Sequence, residues 1–388
     1  MNMKQAIAAF IAVMVFGGNA VPARAADPYV VSVVLSISGG AAVLGAKEAA
    51  SLRALEALVN AHGGVRGRPV HFDIADDGSN PQTAVRLVQA LITKNVPFVV
   101  GPTLSASCAA VAPIAEQAGL TTFCLSPAFV PAAGGHQYVS APSIDDVQPV
   151  LFRSLLSRKL TRVAVITTTD ASGADFDQRI ATTLALPEFA NVTIVDHEHF
   201  APTDTSVATQ MARIKAAAPQ AVLTFTVGVP FVTLLAGLRD AGIIVPVYGA
   251  GGNFTYDAMQ ANAAVLPIQL LLNGSRGITP DPAANGAMNT SQNVYATALA
   301  KAGLRSEFGT AIPWDPMMIM LEVVRRAGTE ADAAKIAATL AGLKGWTGIE
   351  GTYDFSTHDQ RGIRQAAAAF FRYDAATNAF VQVYPTTH

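Results

Sequence analysis

From Tyr29 onward, apolar runs of strand length alternate with segments of helix length, and the runs end in short turns rich in Gly, Pro, Ser or Asp. Parallel strands need a crossover, usually a helix, so this alternation predicts an α/β chain with mainly parallel sheets covered on both faces. The clearest instance is Val96–Ala110, VPFVVGPTLSASCAA. Val96–Val100 reads as a strand buried on both faces. Gly101-Pro102 ends it, and Ala106–Gln117 reads as a helix. Thr103, Ser105 and Ser107 then lie at a helix start, where free backbone N–H groups and hydroxyls suit an anion such as a carboxylate. Ser105 can equally be an ordinary helix cap.

The strand readings are Val30–Ile37, Val70–Ala75, Val96–Val100 and Leu120–Leu125, then, after a pause at Tyr138–Asp146, Arg162–Thr167, Val192–Phe200, Ala221–Thr226 and Val245–Tyr248. Two successive runs of this kind predict two similar lobes, as does a length of 388 residues. A second pause, Asn273–Asn285, leads into helices near Ala287–Ala302, Asp315–Ala327 and Ala331–Leu340. Short strands follow at Gly351–Phe355, Ala366–Tyr373 and Ala379–Tyr384, the last two joined by a turn around Asp374–Asn378. A late β tail predicts that the chain crosses between lobes more than once, which makes a hinge and a ligand cleft.

Residues 1–25 read as a secretory signal peptide: Lys4, the apolar run Ala6–Phe16, and Ala23-Arg24-Ala25 as an A-x-A cleavage site. The run is too short to span a bilayer. Without Lys4 and Arg24 the chain carries 24 basic and 28 acidic residues, net −4. It has no basic run, which speaks against nucleic acid as a partner. Cys108 and Cys124 are the only cysteines. They fall in a helix first turn and near the end of the next parallel strand, so they can pair in an oxidising compartment or stand as two buried thiols.

Parts for an enzyme are missing. Ser38–Gly45 lacks the G-x-G-x-x-G spacing, and there is neither a P-loop nor a G-x-S-x-G elbow. His197 and His199 share one side of a strand, but no third ligand is evident, and they read as two solvated imidazoles rather than a metal site. No cofactor is expected. What remains is a set of loops at strand carboxyl ends, where open α/β sheets bind ligands: Ser38–Gly45, Gly101–Ser107 and Ser126–Pro131 in the first lobe, and Thr168–Phe176, Val227–Pro230 and Gly249–Phe254 in the second.

Several segments together resemble a known family: SISGGAAVLG, VNAHGGVRGRPVHFDIADDGSNPQTAV, VVGPTLSASCAAVAPIAEQAGL, LSPA, VPVYGAGGN and GTYDFSTHDQRG. They are similar to the type I periplasmic solute-binding proteins of ABC importers, the group that includes the leucine/isoleucine/valine-binding proteins. The resemblance implies two α/β lobes joined by three hinge crossovers, here 26–142 plus 275–351 and 143–274 plus 352–388. It implies closure around one small molecule, delivery to an inner-membrane permease, a periplasmic location and no catalysis. A monomer is expected, and a sensor module serving a receptor is the less favoured use of the same scaffold.

In amino-acid-binding members a serine after the central strand and the backbone of an SP-A-x-T segment hold the ligand carboxylate. Ser105 matches the serine and Ala128 the alanine, while Val130 stands where the threonine would be. The acid that meets the α-ammonium falls at about Gly251, the second-lobe aromatic near Gly228–Val229 and the first-lobe aromatic at Leu44. An ammonium without its acid is costly to bury, although Asp170 could supply one from another loop. The chain resembles most closely the branch that binds aromatic acids. That branch implies a carboxylate on Ser105, Ser107 and Ala128, and ring walls from Leu44, Phe129, Phe176, Val229 and Trp314. Asp170 or Asn253 would meet any ring hydroxyl. An aliphatic amino acid or amide is the alternative ligand.

Overall fold

The computed structural model describes residues 27–279 and 286–385. The expected leader, with its cleavage near Ala25, lies outside them, as does the end of the second sequence pause. The strands are β1 (Tyr29–Leu35), β2 (Val70–Asp76), β3 (Phe98–Val100), β4 (Thr121–Cys124), β5 (Gln137–Val139), β6 (Arg162–Thr168) and β7 (Thr193–Phe200). They continue with β8 (Ala221–Leu223), β9 (Val247–Gly249), β10 (Leu270–Ser275), β11 (Lys344–Thr347), β12 (Thr352–Asp354), β13 (Ala368–Asp374) and β14 (Ala379–Tyr384). The described residues form two compact units, 27–139 with 286–305 and 313–362, and 140–279 with 306–312 and 363–385.

The first unit holds a five-stranded sheet in the order β2-β1-β3-β4-β5, parallel throughout. Its strands read as continuous apolar runs because helices cover both faces. Val34 and Val99 pack with Ala84, Val88, Val111 and Ala115 from the helices Pro81–Thr93 and Ser105–Ala118. A boundary was expected after Gly351; it falls instead after Gly362. β12 pairs with β11, and Phe355 lies edge-on to Phe123 and Tyr138 at 6.2 and 5.4 Å, which ties this segment to the first unit.

The second unit holds a seven-stranded sheet in the order β14-β13-β10-β9-β8-β6-β7. β7, β6, β8, β9 and β10 run parallel, and β13 and β14 close it as an antiparallel hairpin. β10 has no counterpart in the sequence reading, because Asn273-Gly274 reads as a turn. In the structure both residues sit inside the strand: a Cβ on Gly274 would come within 2.6 Å of Ile278 and 3.1 Å of Phe371.

Cys108 and Cys124 are bonded across a sequence separation of 16, and both are buried. The bond fastens the first turn of the Ser105–Ala118 helix to the end of β4. Closing a loop of this length constrains the unfolded chain by about 2–4 kcal/mol. Replacing both cysteines by serine is expected to lower the unfolding free energy by that amount, and a urea titration of the two proteins measures it.

Candidate functional site

In the first unit the strand order reverses at β1, with β2 on one side and β3 on the other, and the crevice beyond the carboxyl ends of such strands is where open α/β sheets take ligands. Gly101, at φ +106°, lets the loop after β3 press against β1: a Cβ there would lie 2.0 Å from the Val34 carbonyl oxygen. The loop then feeds the Ser105–Ala118 helix, whose N-cap is Leu104, with no side-chain cap bond. Ser105 is therefore not the cap. It is the first helical residue, half-buried, and its hydroxyl has no hydrogen bond among the described residues. An uncapped helix start beside a spare hydroxyl can accept an anion.

Ser107 differs from expectation. Its side chain is fully buried and its hydroxyl has no partner among the described residues. Two positions after Ser105, helical geometry turns it inward, so what it can offer an anion is its backbone N–H. Ala128 is exposed in the turn Ser126–Phe129, which closes with Phe129 N–H donating to the Ser126 carbonyl at 3.1 Å. The buried Arg361 guanidinium donates to the carbonyls of Pro127, at 3.0 Å, and Phe129. Arg361 thus fixes this turn from more than two hundred residues away, a separation at which sequence spacing carries no signal.

Behind these loops lies a buried polar cluster that the sequence reading did not single out. The Ser36 hydroxyl donates to Asp77 at 2.7 Å, Ser36 N–H donates to the Thr103 hydroxyl at 3.1 Å, and Thr103 donates to Glu48. Desolvation pushes Glu48 up to about 8; the Thr103 hydrogen bond opposes this and the Asp77 charge adds to it. Asp76, at the end of β2, is held below the usual carboxylate range, first by the Ser38 hydroxyl and then by backbone N–H groups including those of Ile37, Ser38 and Gly78.

In the second unit, Asp170 caps the Ala171–Leu184 helix: one oxygen accepts from Gly173 N–H at 3.0 Å and the Thr168 hydroxyl at 2.9 Å. Asn253 is buried and joins two loops, donating to the carbonyls of Thr226 and Ala250 and accepting from Gly228 N–H at 3.2 Å. Gly228 takes φ +71° ahead of the Val229–Ala241 helix, and Val229 is 76% exposed. Gly251 donates to the Asn273 side chain at 2.8 Å, and a Cβ on it would lie 2.4 Å from the Asn273 carbonyl oxygen. No acidic side chain fits there without moving β10.

The expected ring walls divide. Leu44 is half-buried in the first turn of its helix, and Phe129 is 9% exposed. Phe176 and Trp314 are instead interior residues. Phe176 stacks on Phe225 at 4.9 Å in the second unit's core, and Trp314 meets Tyr295 edge-on at 4.8 Å in the first. The exposed large apolar residues on the strand-end loops and in the helix starts that follow them are Val43, Val130, Val227 and Val229. The reading of His197 and His199 as lacking a third ligand is also corrected, since Asp177 approaches both.

A family model for periplasmic binding proteins matches residues 28–378. A Leu/Ile/Val-binding protein homolog from Brucella melitensis is 23% identical over 323 residues, 80% of this chain and 82% of that protein. An extracellular ligand-binding receptor from Rhodopseudomonas palustris superposes with TM-score 0.77 at 20% identity, covering 92% of this chain and 99% of that one. A branched-chain amino acid transporter substrate-binding protein from Streptococcus pneumoniae, solved with isoleucine, superposes with TM-score 0.73 at 18% identity, covering 92% and 100%. The family is one of exported, non-catalytic solute-binding proteins with the type I two-lobe fold. With the match running from the first strand to the closing hairpin, the chain belongs to the periplasmic binding protein family.

Proposed function

We propose that the chain is the solute-binding component of an ABC importer whose solute is a small carboxylate with an aromatic body, of the benzoate or phenylpropanoid kind. In this reading the carboxylate takes the spare Ser105 hydroxyl, the uncapped N–H groups of the helix that follows, and the backbone at Ala128. The observation that carries it is Gly251. The position matched to the ammonium-binding acid is a glycine packed against Asn273, and Asp170 already spends an oxygen as a helix cap. An α-ammonium would be buried without its partner, at a cost of several kcal/mol. Leu44 and Phe129, with the exposed Val43 and Val130 of the same unit, would meet the apolar body.

The isoleucine-bound relative favours a second reading, a branched-chain amino acid, with Asp170 meeting the ammonium. A thermal-shift panel separates the two. A ligand at a hundred times its Kd stabilises by about 2.7 kcal/mol. Benzoate and 3-phenylpropanoate are expected to raise the melting temperature while leucine, isoleucine and valine leave it unchanged, and Ser105→Ala is expected to weaken the active ligand at least about tenfold. A shift with the aliphatic amino acids alone would overturn the aromatic-acid reading.

A further inference from the structure

The edge strand of the second unit carries a cluster that solute capture does not use. His197 and His199 lie two residues apart on β7, so both rings project from one face, 37% and 45% exposed. The Ala171–Leu184 helix brings Asp177 over them. One carboxylate oxygen lies 2.9 Å from His197 Nε2 and the other 2.8 Å from His199 Nε2. The rings are 4.7 Å apart, and the three ligand atoms lie within 4.8 Å of one another.

Support comes from behind. Thr167, fully buried on β6 and the register partner of His199, donates its hydroxyl to both Asp177 oxygens, at 3.0 and 3.1 Å. A hydrogen bond of this kind to a ligating carboxylate is what orients it in metal sites. On the opposite face of β7, Glu198 is committed to Arg213 and does not compete.

We propose that Asp177, His197 and His199 form a binding site for a late first-row divalent cation, with solvent completing the coordination. Two imidazoles and one carboxylate match Zn2+, Cu2+ or Ni2+ rather than Mg2+ or Ca2+. Bonds of about 2.0–2.1 Å in a tetrahedral site set neighbouring ligand atoms about 3.3 Å apart. The two imidazole–carboxylate spacings need to open by a few tenths of an ångström, and the widest ligand-atom spacing, within 4.8 Å, needs to close by at most about 1.5 Å, a shift that side-chain rotation on an exposed edge strand can supply. The bound cation replaces the two imidazole–carboxylate hydrogen bonds, each ring offering its Nε2 lone pair with the proton on Nδ1. It joins the edge strand to the helix that Asp170 caps.

The test is calorimetric titration of ZnCl2 into the full, untagged chain after EDTA treatment and desalting. One saturable equivalent is expected, with no saturable heat from MgCl2. His197→Gln with His199→Gln is expected to weaken Zn2+ at least a hundredfold, Thr167→Val about tenfold, and the remote His71→Gln not at all. Because the double variant could fold poorly, Cu2+ is also titrated into the unaltered chain. Selective broadening of two imidazole Cε1–H signals, one missing from His197→Gln and the other from His199→Gln, supports the site. Absence of saturable Zn2+ binding, binding that survives the double substitution, or broadening at other histidines would overturn it.

Discussion

Asp315→Ala is expected to destabilise the first unit by about 3–5 kcal/mol. Asp315 is buried in the first turn of the Trp314–Ala327 helix and collects three donors from the segment entering β12. Ile349 N–H lies at 2.9 Å, Glu350 N–H at 3.1 Å and the Tyr353 hydroxyl at 2.9 Å. Alanine removes the acceptor of two buried backbone N–H groups and a buried phenol, and removing one side of a buried polar arrangement costs more than the arrangement contributes net. Gly348 belongs to the same arrangement, since a Cβ there would lie 2.3 Å from both Asp315 oxygens. Both tryptophans, Trp314 and Trp346, lie in the first unit. Urea unfolding followed by tryptophan fluorescence therefore reads this unit's transition, and a loss below about 1 kcal/mol would contradict the assigned role.

The second large effect is a pH dependence centred on Glu48. Its folded pKa is raised from 4.5 to about 8, chiefly by desolvation. Below 4.5 the carboxyl is neutral whether the chain is folded or not. Between 4.5 and about 8 the unfolded chain releases the proton while the folded chain keeps it, so stability falls as pH rises across that window and levels off above it. The loss is on the order of several kcal/mol. Asp315, raised to about 6 by burial, adds a loss of the same sign between 3.8 and 6. Glu48→Gln keeps the size and can still accept from Thr103, but it does not titrate. The variant is expected to match the native chain near pH 4.5 and to exceed it progressively toward pH 8. Parallel stability curves for the two proteins would show that Glu48 ionises normally in the fold.

Much of the architecture was legible because buried parallel strands are apolar on both faces and stop at Gly, Pro or Asp, so β1, β6 and the loops after them stand out in the sequence. β10 was not legible, because Asn273-Gly274 has turn chemistry and only the packing of Ile278 and Phe371 against Gly274 explains a strand. Facing was harder still. The Ser105–Ala118 helix is small-residued nearly all round, so periodicity could not tell that Ser107 turns inward while Ser105 does not. Phe176 lies near a helix start, yet its ring completes a core stack with Phe225. Asp177 and Arg361 reach their partners through tertiary proximity alone. Gly251, by contrast, stood out as a departure from the family's pattern, and the close approach of Asn273 supplies the physical reason for a glycine.

The most direct test of the ligand reading is calorimetry with a matched pair, 3-phenylpropanoate and phenylalanine, which differ only by the α-ammonium. With the carboxylate on Ser105 as proposed, and a glycine at position 251, the chain is expected to bind phenylpropanoate at least about a hundredfold more tightly, the cost of burying one unpaired charge. Tighter binding of phenylalanine, or of leucine over both, would mean that another carboxylate receives the ammonium and would contradict the aromatic-acid assignment.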